Sequence, residues 1–290
     1  MIYSYYPGCT NKSTGVDYDI SFKAICSKLD IKIEEVKDWI CCGASSAHAS
    51  SKLLPIILTI KNLAEIEKAN LSEVVVPCVG CYYRFKKSIH ETGKDVSLLD
   101  TINEIIGYQF QNKVKVLNPL EIIDDNTKLI ISKRQKKDLS KVKMVCYYGC
   151  VLTRPPEVMQ FDNCEYPTSM DDILKVIGIN TLDWSYKTEC CGVSLSFTRP
   201  DIVLRLTNNI LENASEAGAD AIVVACPLCY LNLDTRQESI NKAYKKNYSI
   251  PVFYFTQVLG LALGCSSKEL GLEKNFMNAS KLLGKILDIE

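Results

Sequence analysis

Ten of the 14 cysteines in this 290-residue chain fall into one pattern that occurs twice. Cys9, the pair Cys41-Cys42 and the motif Cys78-x-x-Cys81 are answered by Cys150, the pair Cys190-Cys191 and Cys226-x-x-Cys229. In the first copy 31 residues separate the leading cysteine from the pair and 35 separate the pair from the CxxC; in the second the gaps are 39 and 34. Differences of that size are absorbed by loops. The match extends past cysteine. Gly8-Cys9 answers Gly149-Cys150, Cys41-Cys42-Gly43-x-Ser45 answers Cys190-Cys191-Gly192-x-Ser194, and Cys81-Tyr82 answers Cys229-Tyr230. Self-similarity on this scale means two homologous units, so the chain must adopt a fold that can be built twice.

The segments around the cysteines say which fold. Residues 2–6 and 143–148 read as short strands running into their Gly-Cys turns, and 73–77 and 221–225 are β-branched runs ending at each CxxC. Between them lie helical patterns, such as 16–29 with Val16, Ile20, Ala24, Ile25 and Leu29, and 202–217 with Ile202, Leu206, Ile210, Leu211 and Ala214. Strand alternating with helix predicts an α/β fold of two homologous halves, each a small parallel-type sheet with flanking helices, related by pseudo-two-fold symmetry. The expected boundaries are 1–112 for the first half, 113–141 for a connector and 142–290 for the second half, which ends in a strand at 250–254 and helices at 257–263 and 269–287. Sites in parallel sheets lie at the carboxyl ends of strands, where these cysteines are placed.

Charge and composition exclude several classes. The 34 Lys plus Arg balance 34 Asp plus Glu, whereas a protein that neutralises phosphates carries an excess of base, so no nucleic-acid partner is expected. The segment 128–143 holds Lys128, Lys133, Arg134, Lys136, Lys137, Lys141 and Lys143 against Asp138. It reads as a solvated connector, with a docking site for an acidic electron carrier as the sharper alternative. The start, Met1-Ile-Tyr-Ser-Tyr-Tyr, lacks the features of a signal peptide, which points to a cytoplasmic chain with reduced thiols. Apolar runs such as 53–58 fall far short of the ~20 residues that cross a bilayer, so no transmembrane span is expected. The stretch 250–264 is apolar enough for peripheral association at the inner face of a membrane or with a partner, although a buried strand and helix is the simpler reading.

The number of cysteines per half narrows the chemistry. A tetrahedral zinc takes four ligands and a cubane iron–sulfur cluster takes four thiolates, so five cysteines leave one over. Adjacent side chains diverge, so Cys41-Cys42 and Cys190-Cys191 suit separate irons, or one ligand and one bridge, better than one corner of a site. An open or noncubane cluster follows, with structural zinc in one half, or a zinc-stabilised scaffold, as the alternative. Gly43 and Gly192 let the backbone bend closely where a Cβ would intrude. Cys26, Cys146, Cys164 and Cys265 lie outside the pattern and read as non-ligands. His48 is a candidate proton donor to a leaving thiolate and Arg154 a candidate for an anionic substrate group, while His90 reads as a surface residue. No GxGxxG or Walker-type loop occurs, so electrons must arrive from a flavin or nucleotide site on partner proteins.

The doubled C…CC…CxxC pattern, with its two glycines and the run Cys-Pro-Leu-Cys-Tyr-Leu-Asn-Leu-Asp at 226–234, resembles the CCG-domain (cysteine-rich domain) family whose type member is HdrB of heterodisulfide reductase. The second pair-to-CxxC gap is one residue short of the family pattern. The resemblance implies two noncubane [4Fe-4S] clusters, one held by Cys9, Cys41, Cys42, Cys78 and Cys81 and one by Cys150, Cys190, Cys191, Cys226 and Cys229. It implies a disulfide oxidoreductase, active within a complex, that reduces or forms a disulfide or related organosulfur bond between the clusters. The implied partners are a ferredoxin-like iron–sulfur protein (HdrC-like) and a flavoprotein (HdrA-like) of the same complex. A second implied role is an electron-transfer or membrane-attachment subunit of a succinate/fumarate:quinone oxidoreductase.

Overall fold

The strands that carry the cysteines are short because each has only to cross a small sheet. In a computed structural model, which describes residues 2–44, 46–135, 139–277 and 279–287, the first half contains β1 (Ile2–Tyr5), β2 (Lys32–Glu35), β3 (Glu73–Val75) and β4 (Lys115–Leu117). The second contains β5 (Lys143–Tyr147), β6 (Asn180–Thr181), β7 (Ala221–Val224) and β8 (Val252–Tyr254). Each set forms its own four-stranded sheet, in the orders β2-β1-β3-β4 and β6-β5-β7-β8, and all pairings are parallel. The two halves therefore repeat in topology as well as in cysteine spacing.

Composition follows position in the sheet. Ala221–Val224 is buried at every residue, as a central parallel strand covered on both faces must be. The edge strands β2 and β6 carry Lys, Glu, Asn and Thr and remain largely exposed, which blunts an edge that would otherwise invite pairing. Parallel strands need long crossovers, supplied by helices such as Val16–Lys28, Leu54–Lys68, Ser169–Val176 and Pro200–Glu216.

The segment 113–141 contributes to the architecture directly. Lys115–Leu117 is the fourth strand of the first sheet, in register with Glu73–Val75. The helix Pro119–Asp124 follows, started by a capping box in which Asn118 Oδ1 accepts from Leu120 N at 3.1 Å and Glu121 Oε2 accepts from Asn118 N at 2.6 Å. The basic residues next along are used internally: Lys133 pairs with Asp30 and donates to Lys28 O at 2.8 Å, and Arg134 donates to Val176 O. Lys136, Lys137 and Asp138 lie outside the described residues, as does Ser45 of the first CCG motif.

The halves pack reciprocally. The helix Val16–Lys28 of the first half lies on Phe255–Ala262 of the second, and Ser169–Val176 of the second lies on Pro119–Asp124 of the first. In each case the helix after the first strand of one half meets the helix after the fourth strand of the other, as expected of a self-complementary pseudo-two-fold interface. At its centre Tyr18 stacks on Tyr254, ring centroids 4.5 Å apart, and Ser21 Oγ meets Thr256 Oγ1 at 2.7 Å, both buried. The apolar stretch 250–264 thus becomes β8 and a fully buried helix, so it offers nothing to a membrane surface. The single helix expected over 269–287 is instead a 3-10 turn at Leu272–Lys274 and a separate helix at Ser280–Leu287. Asp234 captures the intervening backbone, its carboxylate accepting from Phe276 N at 2.7 Å and Met277 N at 3.3 Å.

Candidate functional site

Each sheet delivers its cysteines from the same three strand ends. Cys9 follows β1, Cys41-Cys42 lies beyond β2 and Cys78 follows β3; Cys150, Cys190-Cys191 and Cys226 stand in the same relation to β5, β6 and β7. Strand order reverses between β1 and β3, and between β5 and β7. Both sets therefore occupy a topological switch point, where an open α/β sheet forms its crevice. Cys78 and Cys226 are also the N-caps of the helices Val79–Lys94 and Pro227–Thr235, so each CxxC straddles a helix N-terminus whose unpaired N–H groups favour a thiolate.

The side chains converge as the pattern predicts. In the first half Cys9 Sγ lies 4.0 Å from Cys41 Sγ and Cys42 Sγ lies 2.9 Å from Cys81 Sγ. Cys41 also meets Cys42, and Cys78 meets Cys81, which links all five. In the second half Cys191 Sγ lies 3.6 Å from Cys229 Sγ, with Cys150 beside Cys190 and Cys226 beside Cys229. All 14 cysteines are free thiols. Cys26, Cys146 and Cys265 are buried and Cys164 half-buried, and none of the four joins either set.

These contacts distribute protons unevenly. Hydrogen bonding with Cys41 and Cys81 holds the Cys42 thiol down to about 4, and hydrogen bonding with Cys150 holds Cys190 down to about 6. Cys78 and Cys191 are lowered by Cys81 and Cys229 in the same way. Their partners Cys41, Cys81, Cys150 and Cys229 are pushed up correspondingly. Each half thus presents thiolates, the form that binds metal, beside thiols that release protons when metal binds.

Glycines shape both cradles. Gly43 and Gly192 take φ of +72° and +75° directly after each pair, and a Cβ on Gly43 would sit 2.6 Å from Ala47 Cβ. Gly8 and Gly149 pass so close to the CxxC that a Cβ would lie 3.2 Å from Cys81 Sγ and 3.1 Å from Cys229 Sγ. One equivalent pair escapes a reading focused on cysteine. Tyr6 Oη donates to Ile40 O at 2.8 Å and Tyr147 Oη donates to Glu189 O at 2.6 Å. Each tyrosine thereby ties the first strand to the residue just before the cysteine pair. The signal was present as Tyr-x-Gly-Cys in both halves. Asn62, which accepts from Ile40 N at 2.8 Å, and Asn232, which donates to Cys191 O at 3.0 Å, hold the same loops without any matching motif.

The two CxxC turns approach each other across the seam. Gly80, inside the first CxxC, lies against Leu228, inside the second; a Cβ on Gly80 would meet Leu228 Cδ1 at 3.7 Å. Arg154 lies at the edge of the second set but its guanidinium is engaged, donating to Cys164 O at 2.9 Å and Thr188 Oγ1 at 2.9 Å and pairing with Glu165 at 2.7 Å. His48 is exposed and lines a cleft of about 530 Å³ with Lys52, Arg84, Lys87, Glu91 and Lys94. His90 is half-buried on the Val79–Lys94 helix.

Five sulfurs from three loops, partly ionised and crowded by glycine, fit a sulfur-ligated metal group. Among the described residues no group of three or more His, Cys, Asp or Glu side chains stands in a geometry that could hold a single metal ion. A family model described as a cysteine-rich domain (CCG) matches residues 3–86 and 144–234. The chain is 31% identical to the 8-methylmenaquinol:fumarate reductase membrane anchor subunit of Wolinella succinogenes, over 97% of this chain and 98% of that one. It is 28% identical to the B subunit of the ferredoxin:CoB-CoM heterodisulfide reductase of Methanosarcina mazei, over 99% and 97%. A solved structure of a hypothetical protein from Helicobacter pylori aligns with a TM-score of 0.77 at 11% identity, over 97% of this chain and 52% of that one, which bears on the fold alone.

Proposed function

Because this chain belongs to the cysteine-rich domain (CCG) family, we propose that it is an iron–sulfur subunit of a multi-subunit, heterodisulfide reductase-like oxidoreductase. In this reading Cys9, Cys41, Cys42, Cys78 and Cys81 hold one noncubane [4Fe-4S] cluster and Cys150, Cys190, Cys191, Cys226 and Cys229 hold a second. The observation that carries it is the close approach of the two CxxC turns across the seam between the halves. Such clusters supply electrons one at a time, whereas breaking an S–S bond takes two. Two sites whose CxxC turns approach each other match that requirement, since each sulfur of a disulfide or related organosulfur bond would have a site of its own. The fifth sulfur in each set favours a cluster over a single zinc, which needs four.

The chain's own residues set the rest. Tyr6, Asn62 and Tyr147 fix the loops that carry the cysteine pairs. His48, exposed in the cleft it shares with Arg84 and Lys87, is the candidate proton donor. Arg154 already ties Cys164 and Glu165 to Thr188, two residues before Cys190, and so supports the second loop as well as being a candidate for an anionic group. Electrons come from ferredoxin-like and flavoprotein partners.

One observation favours a second reading, in which the same two sites pass electrons within a quinol:fumarate oxidoreductase: the identity to an anchor subunit of such an enzyme along nearly the whole chain. No helix among the described residues is long and apolar enough to cross a membrane. Anaerobic purification of the native complex separates the readings. Iron and acid-labile sulfide, an HdrA-like flavoprotein partner and reduction of a disulfide by an artificial electron donor support the first. A fumarate-reducing flavoprotein partner and no disulfide turnover overturn it in favour of the second.

A further inference from the structure

We propose that the basic cleft of the first half, lined by Lys52, Arg84, Lys87 and Lys94, is where an acidic electron-carrier protein docks, so that the first cysteine set is the point of electron entry. The inference rests on the reading that the cysteine sets hold redox groups. In the balanced step a reduced carrier of the iron–sulfur or flavin class loses one electron and the first site gains it, with no bond made or broken and no proton moved. A second docking event supplies the second electron that an S–S bond requires.

The cleft, of about 530 Å³, lies between the start of the helix Leu54–Lys68 and one face of the helix Val79–Lys94. Lys52 and Lys94 are exposed and Arg84 is half-buried, and none of the three forms an ion pair among the described residues. The Arg84 guanidinium rests 5.8 Å from the centre of the Tyr83 ring. The acidic residues of the cleft are engaged locally. Glu91 pairs with Lys87 at 3.7 Å, and the Asp95 carboxylate caps the next helix, accepting from Ser97 Oγ at 2.7 Å and Leu98 N at 3.0 Å. Uncompensated positive charge therefore stands beside the apolar Pro55, Ile56 and Leu98. Leu54 and Val96, 36% and 70% exposed, adjoin the lining residues Pro55 and Asp95 in the chain. Apolar contact combined with surrounding charge fits a protein surface better than a free ion.

Two relations place the cleft against the first set. Arg84 stands one turn beyond Cys81 on the same helix, so the two share a face. Pro55 backs the turn that carries Cys41-Cys42, its Cα 3.8 Å from where a Cβ on Gly43 would sit. The second half lacks this chemistry at the matching positions. Three residues after Cys229 stands Asn232, buried, which donates to Cys191 O at 3.0 Å and accepts from Arg236 Nε at 2.9 Å. Six residues after Cys229 stands Thr235, where the first half has Lys87, and its hydroxyl donates to Leu231 O at 2.6 Å. The helix that follows the CxxC has 16 residues in the first half and 9 in the second, and Lys94 ends the longer one. The same fold closes around the second set without these cations, so they are not needed to build it and are available to a partner. Elsewhere Glu121, Asp124, Asp125, Asp162 and Asp172 line a cleft of about 430 Å³ between the halves. A chain of zero net charge thus presents opposite charges at two clefts, and an acidic carrier is drawn to the first and repelled by the second.

The test starts from the native complex, purified anaerobically and treated with a carbodiimide, which joins lysine amines to carboxylates in contact with them. Cross-links from Lys52, Lys87 or Lys94 to Asp or Glu of a partner chain that carries an iron–sulfur or flavin centre are expected. A second measurement mixes the full-length protein with a reduced acidic ferredoxin as probe and follows reduction of its iron–sulfur signal. The rate should fall as salt is raised, and at low salt it should drop about tenfold in the double variant Lys52→Glu/Lys94→Glu. Iron content and the extent of reduction by dithionite, which needs no docking, should not change. Cross-links confined to other faces, cross-links to a chain without a redox centre, or an unchanged rate in the double variant overturns the inference. Slowing of the wild type by millimolar inorganic phosphate, with no cross-link at the cleft, would assign the cleft to a small anion and overturn it as well. Absence of iron from the wild type would instead defeat the reading on which the inference rests, so the two failures are distinguishable.

Discussion

Single side chains hold the candidate site at points where a small change has a defined cost. Tyr147 Oη is the donor to Glu189 O, next to Cys190. Removing it in Tyr147→Phe leaves that carbonyl without this donor, which costs about 1–3 kcal/mol. Tyr6→Phe should cost less, because Ile40 O also accepts from Asn62 Nδ2 at 3.1 Å. Denaturant unfolding of the two variants should show that order, and equal losses would mean that Asn62 does not share the load. Asp17 makes a second residue-scale prediction. Its folded pKa, about 6, lies above the ordinary 3.8, so the folded state binds the proton more tightly than the unfolded chain. Stability should then fall as pH rises from about 4 to about 6 and stay level above. Thermal midpoints of wild type and Asp17→Asn across that interval should converge in acid, with the variant the more stable at neutral pH.

Whether an element could be read from the sequence depended on whether local chemistry set it. The strands β1, β3, β5 and β7 were legible because apolar runs end in Gly-Cys or CxxC turns, and their observed bounds differ from expectation by one or two residues. The edge strands β2 and β6, short and polar, carry no such pattern. β4 was hidden within 113–141 because three residues, Lys115–Leu117, suffice when β3 provides the register. The break between Leu272–Lys274 and Ser280–Leu287 was not legible either, since it is imposed by Asp234, some 40 residues upstream in the chain. The CCG turns were legible, and they can be tested as elements. Alanine at Gly43 or Gly192 must accept a positive φ, at about 1–2 kcal/mol. At Gly43 the new Cβ also meets Ala47 Cβ at 2.6 Å, whereas at Gly192 the nearest atom is the end of the Leu206 side chain at 3.0 Å. Gly43→Ala should therefore be the more destabilised in chemical unfolding and retain less iron than Gly192→Ala.

On the scale of the whole molecule, duplication gives each half its own sheet, its own switch point and its own five sulfurs, while the seam brings the two CxxC turns into contact. Assembly and chemistry should then separate. In the proposed assignment the first set draws its cysteines from residues 9–81 and the second from 150–229, and no sulfur contact crosses between them among the described residues. Cys41→Ser should remove about half of the iron and acid-labile sulfide and leave the second set loaded, because metal binding draws only on ligands within one half. Cys190→Ser should do the converse. In the proposed reading two-electron cleavage draws on both sites, so disulfide reduction should fall to background in each variant although half the metal remains. Quantifying iron and turnover on the same preparations checks this. Retention of half the activity with half the iron would mean that each half works alone, and loss of all iron from one substitution would mean that the two sets are filled as one.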